Sequence, residues 1–259
     1  MKKLKRKYLP ISGLAIIGTL IILWGFHWKI DGPSIYLIGD STMAERTESV
    51  KVNPERGWGQ ALHHYFKDEV HIYNHAVNGR STRSFIDEGR WQKVVDELKP
   101  GDFVFIQFGH NDQKINDPKR YTNPSTAYYN NLLRFVKDAR EKKATPVLLT
   151  SIVRRKFNEQ GTLIDTHGLY PLIIRQLAHN QDVLFIDHLS MTEEFVANLG
   201  IEKSKEWYVW VPPGQYAKFK EGKKDDTHLL EKGATDFAKM VAKELAKMDT
   251  VLKKFIIIK

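Results

Sequence analysis

Cysteine is absent from the 259 residues. That excludes disulfides, thiolate metal sites, a cysteine nucleophile and lipid attachment through a cysteine, and it leaves the redox compartment unreadable. No low-complexity tract and no internal repeat occurs, so a solenoid or a disordered linker is not expected. Neither a P-loop nor a dinucleotide fingerprint is present, and no cofactor is expected. His63 and His64 are neighbours expected to diverge from a helix, so they do not suggest a metal site, and none is expected elsewhere. His110, His167 and His188 read as structural loop histidines, with a supporting role near a site as the alternative for His110.

Acidic residues are missing from the first thirty positions, whereas Lys2, Lys3, Lys5, Arg6, Lys7 and Lys29 all fall there. The net charge of +9 comes from 40 basic and 31 acidic residues. Most of that excess therefore belongs to the N-terminus rather than to a binding face, and no nucleic-acid partner is expected. Lys218, Lys220, Lys223 and Lys224 form a smaller cluster that reads as a solvated loop.

Between Lys7 and Lys29 there is no charge at all. The span Tyr8 to Trp28 reaches the roughly 20 residues that a helix needs to cross a bilayer. Its basic flank predicts a cytoplasmic N-terminus, and Trp24, Phe26 and Trp28 suit an interfacial belt. The expectation is a membrane anchor over residues 1–30 that places the remainder outside the cytoplasm. The alternative is a cleaved signal followed by secretion, although Trp24-Gly25-Phe26-His27-Trp28 lacks a small-residue cleavage pattern.

From Ser34 onward, short apolar runs alternate with helical spacing. Strands are expected at Ile35–Ile38, Val70–Tyr73, Asp102–Phe108, Pro146–Thr150 and Val183–Ile186. Helices are expected over Gly57–Phe66, Trp91–Leu98, Ala127–Lys142, Leu169–Asn180 and Leu229–Met248. Such a β-α alternation predicts a parallel sheet covered by helices on both faces. Ligands of such folds sit at the carboxyl ends of the strands, near a switch in strand order. One domain over 31–250 is expected, followed by a tail, 251–259, that docks or adds an edge strand.

Four short blocks follow strands or precede the closing helix. Gly39-Asp40-Ser41-Thr42 offers an exposed hydroxyl. Asn78-Gly79-Arg80-Ser81 offers a backbone N–H where no Cβ blocks approach. Gly109-His110-Asn111-Asp112 offers a carboxamide. In Asp225-Asp226-Thr227-His228, the spacing sets Asp225 and His228 on one side of a turn, and Asp226 reads as solvated. Each block alone is an ordinary turn or cap. Together, and in this order, they supply a nucleophile, a base, an orienting acid and oxyanion donors, the set required for acyl transfer.

These blocks resemble those of the SGNH (GDSL-like) hydrolases. The intervening Arg56-Gly57-Trp58-Gly59-Gln60, Gly79-Arg80-Ser81-Thr82-Arg83-Ser84-Phe85, Glu88-Gly89-Arg90-Trp91, Val153-Arg154-Arg155 and Asp165-Thr166-His167-Gly168 are similar to the rhamnogalacturonan acetylesterase branch. The resemblance spans Ser34 to Lys247. It implies a three-layer α/β/α flavodoxin-like sandwich with a parallel sheet. It also implies a Ser41, Asp225, His228 triad and an oxyanion hole formed by the Ser41 amide, Gly79 and Asn111. The implied substrate is an acetylated pectic carbohydrate, with acetylated xylan, an aryl ester or a lipid as alternatives within the same chemistry. A tethered carbohydrate-binding protein without catalysis is the alternative of another class. Arg80, Arg83, Arg154 and Arg155 are candidates for binding galacturonate carboxylates, which Arg holds through two parallel bonds. Salt bridging within loops is the competing role.

Overall fold

The computed structural model describes residues 32–258. The anchor or signal expected over 1–30 lies outside the described residues, and among the described residues no helix is long and apolar enough to cross a membrane.

The five-stranded parallel sheet comprises β1 (Ser34–Gly39), β2 (His71–Asn74), β3 (Phe103–Gln107), β4 (Thr145–Leu149) and β5 (Leu184–Ile186), in the order β2-β1-β3-β4-β5. The chain winds outward from β1 to β2, then returns past β1 to β3. The strand order therefore reverses beside the carboxyl end of β1, where such sheets open a crevice.

Strand β1 is covered on both sides, which is why it reads as an unbroken apolar run. Ile35 and Leu37 enter one core with Trp58 and Phe237; Tyr36 and Ile38 enter the other with Trp91, Phe135 and Ile174. The first face carries α1 (Trp58–Ala61), α6 (His188–Lys203) and α7 (Glu231–Leu245). The second carries α2 (Thr82–Asp87), α3 (Arg90–Glu97), α4 (Tyr129–Glu141) and α5 (Tyr170–Asn180). The α/β/α expectation for the described residues is met.

Several elements depart from the sequence reading. The helix expected over Gly57–Phe66 is one turn of α-helix followed by a 3-10 segment, Leu62–Tyr65. Helix α2, not anticipated, has six residues and is held by a capping box between Ser81 and Ser84 rather than by an apolar stripe. Helix α6 is not legible because its apolar residues are spread around the helix rather than gathered in one stripe; it also breaks near its end at Gly200, where φ is 72°. Strands β6 (Tyr208–Val211) and β7 (Lys223–Leu229) form a separate antiparallel pair. The tail docks through one bridge: Lys67 N donates to Phe255 O at 2.8 Å, Ile257 N donates to Tyr65 O at 2.8 Å, and Leu252 is buried.

Candidate active site

Ser41 stands two residues past the end of β1, in a turn tied from several sides. The amides of Met43 and Ala44 donate to Asp40 O at 3.2 and 3.0 Å. The buried Asp40 carboxylate accepts from Thr42 N at 2.9 Å and Thr42 Oγ1 at 2.8 Å. Helix α1 presses on this turn, and Trp58 N donates to Thr42 O at 2.9 Å. That approach explains the glycines flanking Trp58: a Cβ at Gly57 would lie 2.2 Å from Ala44 O, and one at Gly59 2.6 Å from Met43 O. Trp58 Nε1 donates to Gln107 Oε1 at 2.9 Å, and Gln107 Nε2 donates to Thr42 Oγ1 at 2.9 Å, so the third strand also grips the turn.

Asp225 and His228 come from β7. The sequence reading placed them on a single turn leading into the closing helix; they lie instead in a bulge of the antiparallel pair. Tyr208 faces Leu229 while the adjacent Val209 faces Asp225, so residues 226–228 loop out. Asp225 Oδ1 folds the loop by accepting from Thr227 N at 2.8 Å and His228 N at 2.9 Å. Arg56 N donates to Leu229 O at 2.9 Å and ties this strand to the segment before α1.

The bulge aims the imidazole at the serine. His228 Nε2 lies 2.9 Å from Ser41 Oγ, and His228 Nδ1 lies 2.8 Å from Asp225 Oδ2. A proton on Nδ1 held by Asp225 leaves Nε2 free to accept from the hydroxyl. Burial works against ionising Asp225, yet its bonds with His228, the imidazole's charge and the Lys223 ammonium hold it well below the ordinary carboxylate range.

Gly79 and Asn111 line the same cleft as Ser41 and His228. Gly79 occupies a turn closed by Arg80 N on Val77 O at 3.3 Å, and its φ of 76° favours glycine. Asn111 Nδ2 donates one N–H to Arg80 O at 3.0 Å, which joins the second block to the third. A carboxamide carries two N–H bonds, so one remains for a ligand. The buried Asp112 strengthens that join, accepting from Thr82 N at 3.0 Å and from the Thr122 hydroxyl at 2.7 Å. Burial pushes its carboxyl up to about 7.

The four arginines do not share one role. Only Arg154 lines the cleft. It is braced by Nη1 on Thr166 O at 3.1 Å and Nη2 on His110 O at 3.3 Å. Arg80 pairs with Glu88 at 3.0 Å away from the cleft, and Arg83 lies on α2 outside it. Arg155 is buried, with Nη1 on Asp226 Oδ1 at 2.6 Å and Nε on Ser204 Oγ at 3.0 Å. It is a brace for the triad loop: Nη2 also donates to Ile201 O at 2.5 Å, and with all three nitrogens committed no fork is left for a substrate carboxylate. Asp226 is correspondingly not a solvated bystander, since Trp210 Nε1 also donates to its Oδ1 at 2.8 Å.

Lys114, Arg46 and Glu55 also line the cleft and were not singled out from the sequence. Lys114 sits in a polar loop with no pattern to mark it, while Arg46 and Glu55 lie in a segment without secondary structure. Lys223, read as part of a solvated cluster, bonds Asp225 Oδ2 at 3.0 Å and Glu55 Oε1 at 3.1 Å. Among the described residues, Glu55, Asp225 and His228 bring ligand-type atoms within 4.8 Å of one another. The chain itself supplies a cation there, the Lys223 ammonium. His63 and His64 do not diverge: their rings are 3.9 Å apart. His110 is buried, with Nδ1 3.3 Å from Asp40 Oδ2 and Nε2 3.1 Å from Ile152 O, which makes it a support beneath the serine turn.

A flavodoxin-like sheet with a serine, histidine and aspartate converging at its switch point defines a serine esterase of the SGNH class. The chain belongs to the GDSL-like Lipase/Acylhydrolase family, whose profile matches residues 37–234. It is 40% identical to a rhamnogalacturonan acetylesterase of Bacillus subtilis, over 85% of this chain and 92% of that protein. To a rhamnogalacturonan acetylesterase of Emericella nidulans it is 32% identical, over 68% of this chain and 75% of that one. Among solved structures, the Bacillus subtilis protein YxiM superposes with a TM-score of 0.70 at 23% identity, over 85% of this chain and 58% of that chain, a likeness of fold. The chain is a carbohydrate acetylesterase of this family.

Proposed function

We propose that the protein removes O-acetyl groups from a rhamnogalacturonan-type pectic polysaccharide through an acetyl-enzyme, with Ser41, His228 and Asp225 as its triad. Ser41 Oγ attacks the ester carbonyl as its proton passes to His228 Nε2. The Ser41 and Gly79 amides and the Asn111 carboxamide receive the oxyanion. His228 then protonates the departing sugar oxygen, and water, deprotonated by the same imidazole, releases acetate.

The observation that carries the pectic substrate is the identity with named rhamnogalacturonan acetylesterases over most of the chain. The cleft is consistent with it. It encloses about 490 Å³ and is lined by polar and charged side chains, among them Arg46, Arg154 and Lys114. Among the described residues, neither Arg154 nor Lys114 is paired with a carboxylate, so both remain available to a galacturonate. The test is acetate release from acetylated rhamnogalacturonan and acetylated xylan across a salt series. The pectic preference should shrink with salt, because exposed charges are screened over about 10 Å at 0.1 M. Equal salt response of the two substrates refutes the carboxylate-reading cleft.

We also propose that residues 1–30 anchor the domain 31–250 outside the cytoplasm. Fractionation of expressing cells followed by N-terminal sequencing tests this, and a soluble form beginning near Asp31 would mean a cleaved signal instead.

A further inference from the structure

A closed circuit of charged side chains runs behind the triad. Arg46 Nη2 donates to Ser41 O at 3.0 Å, and Arg46 Nε lies 3.5 Å from Glu55 Oε2. Glu55 Oε1 is 3.1 Å from Lys223 Nζ, which in turn is 3.0 Å from Asp225 Oδ2. That oxygen is the one that holds His228 Nδ1, and His228 returns the path to Ser41 Oγ. Two cations and two anions thus alternate from the carbonyl of the nucleophile to the partner of the base, and a third cation branches from the path, Lys218 Nζ lying 3.7 Å from Glu55 Oε2. Arg46 and Glu55 are buried, so these charges are not free surface ions.

Position gives the two central groups opposite actions. The Lys223 ammonium draws on the carboxylate that stabilises the imidazolium, and its own charge opposes protonation of the ring. Glu55, with an oxygen within 4.8 Å of the His228 ring nitrogen, favours protonation and offsets the ammonium. Burial works against ionising Glu55, but the charges of His228, Lys223 and Arg46 keep its carboxyl below the ordinary range.

We propose that Glu55 and Lys223 are positioning residues of the esterase, an opposed pair that sets the basicity of His228 and holds Asp225 on its Nδ1. The proposal rests on the triad reading given above. Other charged groups also face the imidazole. Asp40 and His110 lie beneath the serine turn, and Lys114 and Arg154 stand at the mouth after the third and fourth strands. None of these four bonds Asp225 or Glu55 directly; the pair is distinguished by doing so.

The test uses a small aryl acetate, so the identity of the polysaccharide does not enter. The readout is the acid limb of kcat/KM against pH, which reports protonation of the free enzyme's base. Lys223→Met removes the cation and should move that limb up by about one pH unit, the scale of one neighbouring charge largely screened by water. Glu55→Gln should move it down by a similar amount. Combining the two changes should return the limb close to its starting position, and Lys223→Arg should hold it there. Thermal unfolding of each variant separates misfolding from retuning. Lys223→Arg keeps the cation, and Glu55→Gln keeps the side-chain shape and one acceptor oxygen, so these two variants are expected to remain folded. Limbs that stay in place while kcat falls uniformly, or that both move the same way, overturn the proposal. Failure of the triad reading looks different, since Ser41→Ala would then keep its activity.

Discussion

Replacing Arg155 with Met separates a brace from a substrate ligand. Methionine keeps much of the aliphatic volume but removes the guanidinium, which bonds Asp226, Ser204 Oγ and Ile201 O at 2.6, 3.0 and 2.5 Å and lies 4.6 Å from the Trp210 ring centre. The Arg155 side chain is only 4% exposed, so no water replaces it, whereas Asp226 is 31% exposed and regains part of its hydration. Breaking a buried charge pair by removing one partner costs about 3–5 kcal/mol. The partial exposure of Asp226 sets the expectation at the low end, about 3 kcal/mol. For a domain of this size that lowers Tm by roughly 6–12 °C. Because Arg155 N also donates to Asp226 O at 2.8 Å, the loop carrying His228 loosens as well. Thermal unfolding by circular dichroism gives the first quantity. Steady-state kinetics on an aryl acetate and on acetylated rhamnogalacturonan give the second, an equal fractional loss on both. An unchanged Tm with a loss confined to the uronate-containing substrate would refute the brace and restore Arg155 as a substrate ligand.

Ser41→Ala should lower aryl acetate turnover by several orders of magnitude with Tm nearly unchanged, and near-normal turnover in the folded variant would remove Ser41 from the mechanism. Asn111→Ala should cost on the order of 100-fold in kcat, the effect of losing one oxyanion donor. A rise in KM alone would make Asn111 a ground-state binding group. The depressed carboxyl of Asp225 contributes stability that is complete above the unfolded value of about 3.9 and is lost as pH falls below it toward the folded value. Unfolding free energy of Asp225→Asn should therefore be lower at pH 7 and fall less steeply below pH 4 than that of the unaltered protein; parallel pH curves would contradict this.

The layered α/β/α architecture was legible in the residues alone, because strands buried on both faces read as apolar runs such as Phe103–Ile106 and most of the long helices carry one apolar stripe. The sequence also determined which groups meet in the cleft: Ser41, Gly79 and Asn111 follow successive strands, and parallel strands deliver their carboxyl ends to one edge. Short elements held by polar bonds were not legible. Helix α2 rests on Ser81 and Ser84, and the 226–228 bulge rests on the Asp225 carboxylate and on pairing with Tyr208 and Val209, residues far away in the chain. The partners of charged side chains were decided only by the tertiary structure. Arg154 and Arg155 are adjacent and chemically identical, yet one faces the cleft and the other is buried on Asp226. Glu55 and Lys223 are 168 positions apart, and only folding brings their charges together behind His228. A charge has no periodicity to betray its contacts; its role depends on which opposite charge shares its low-dielectric surroundings.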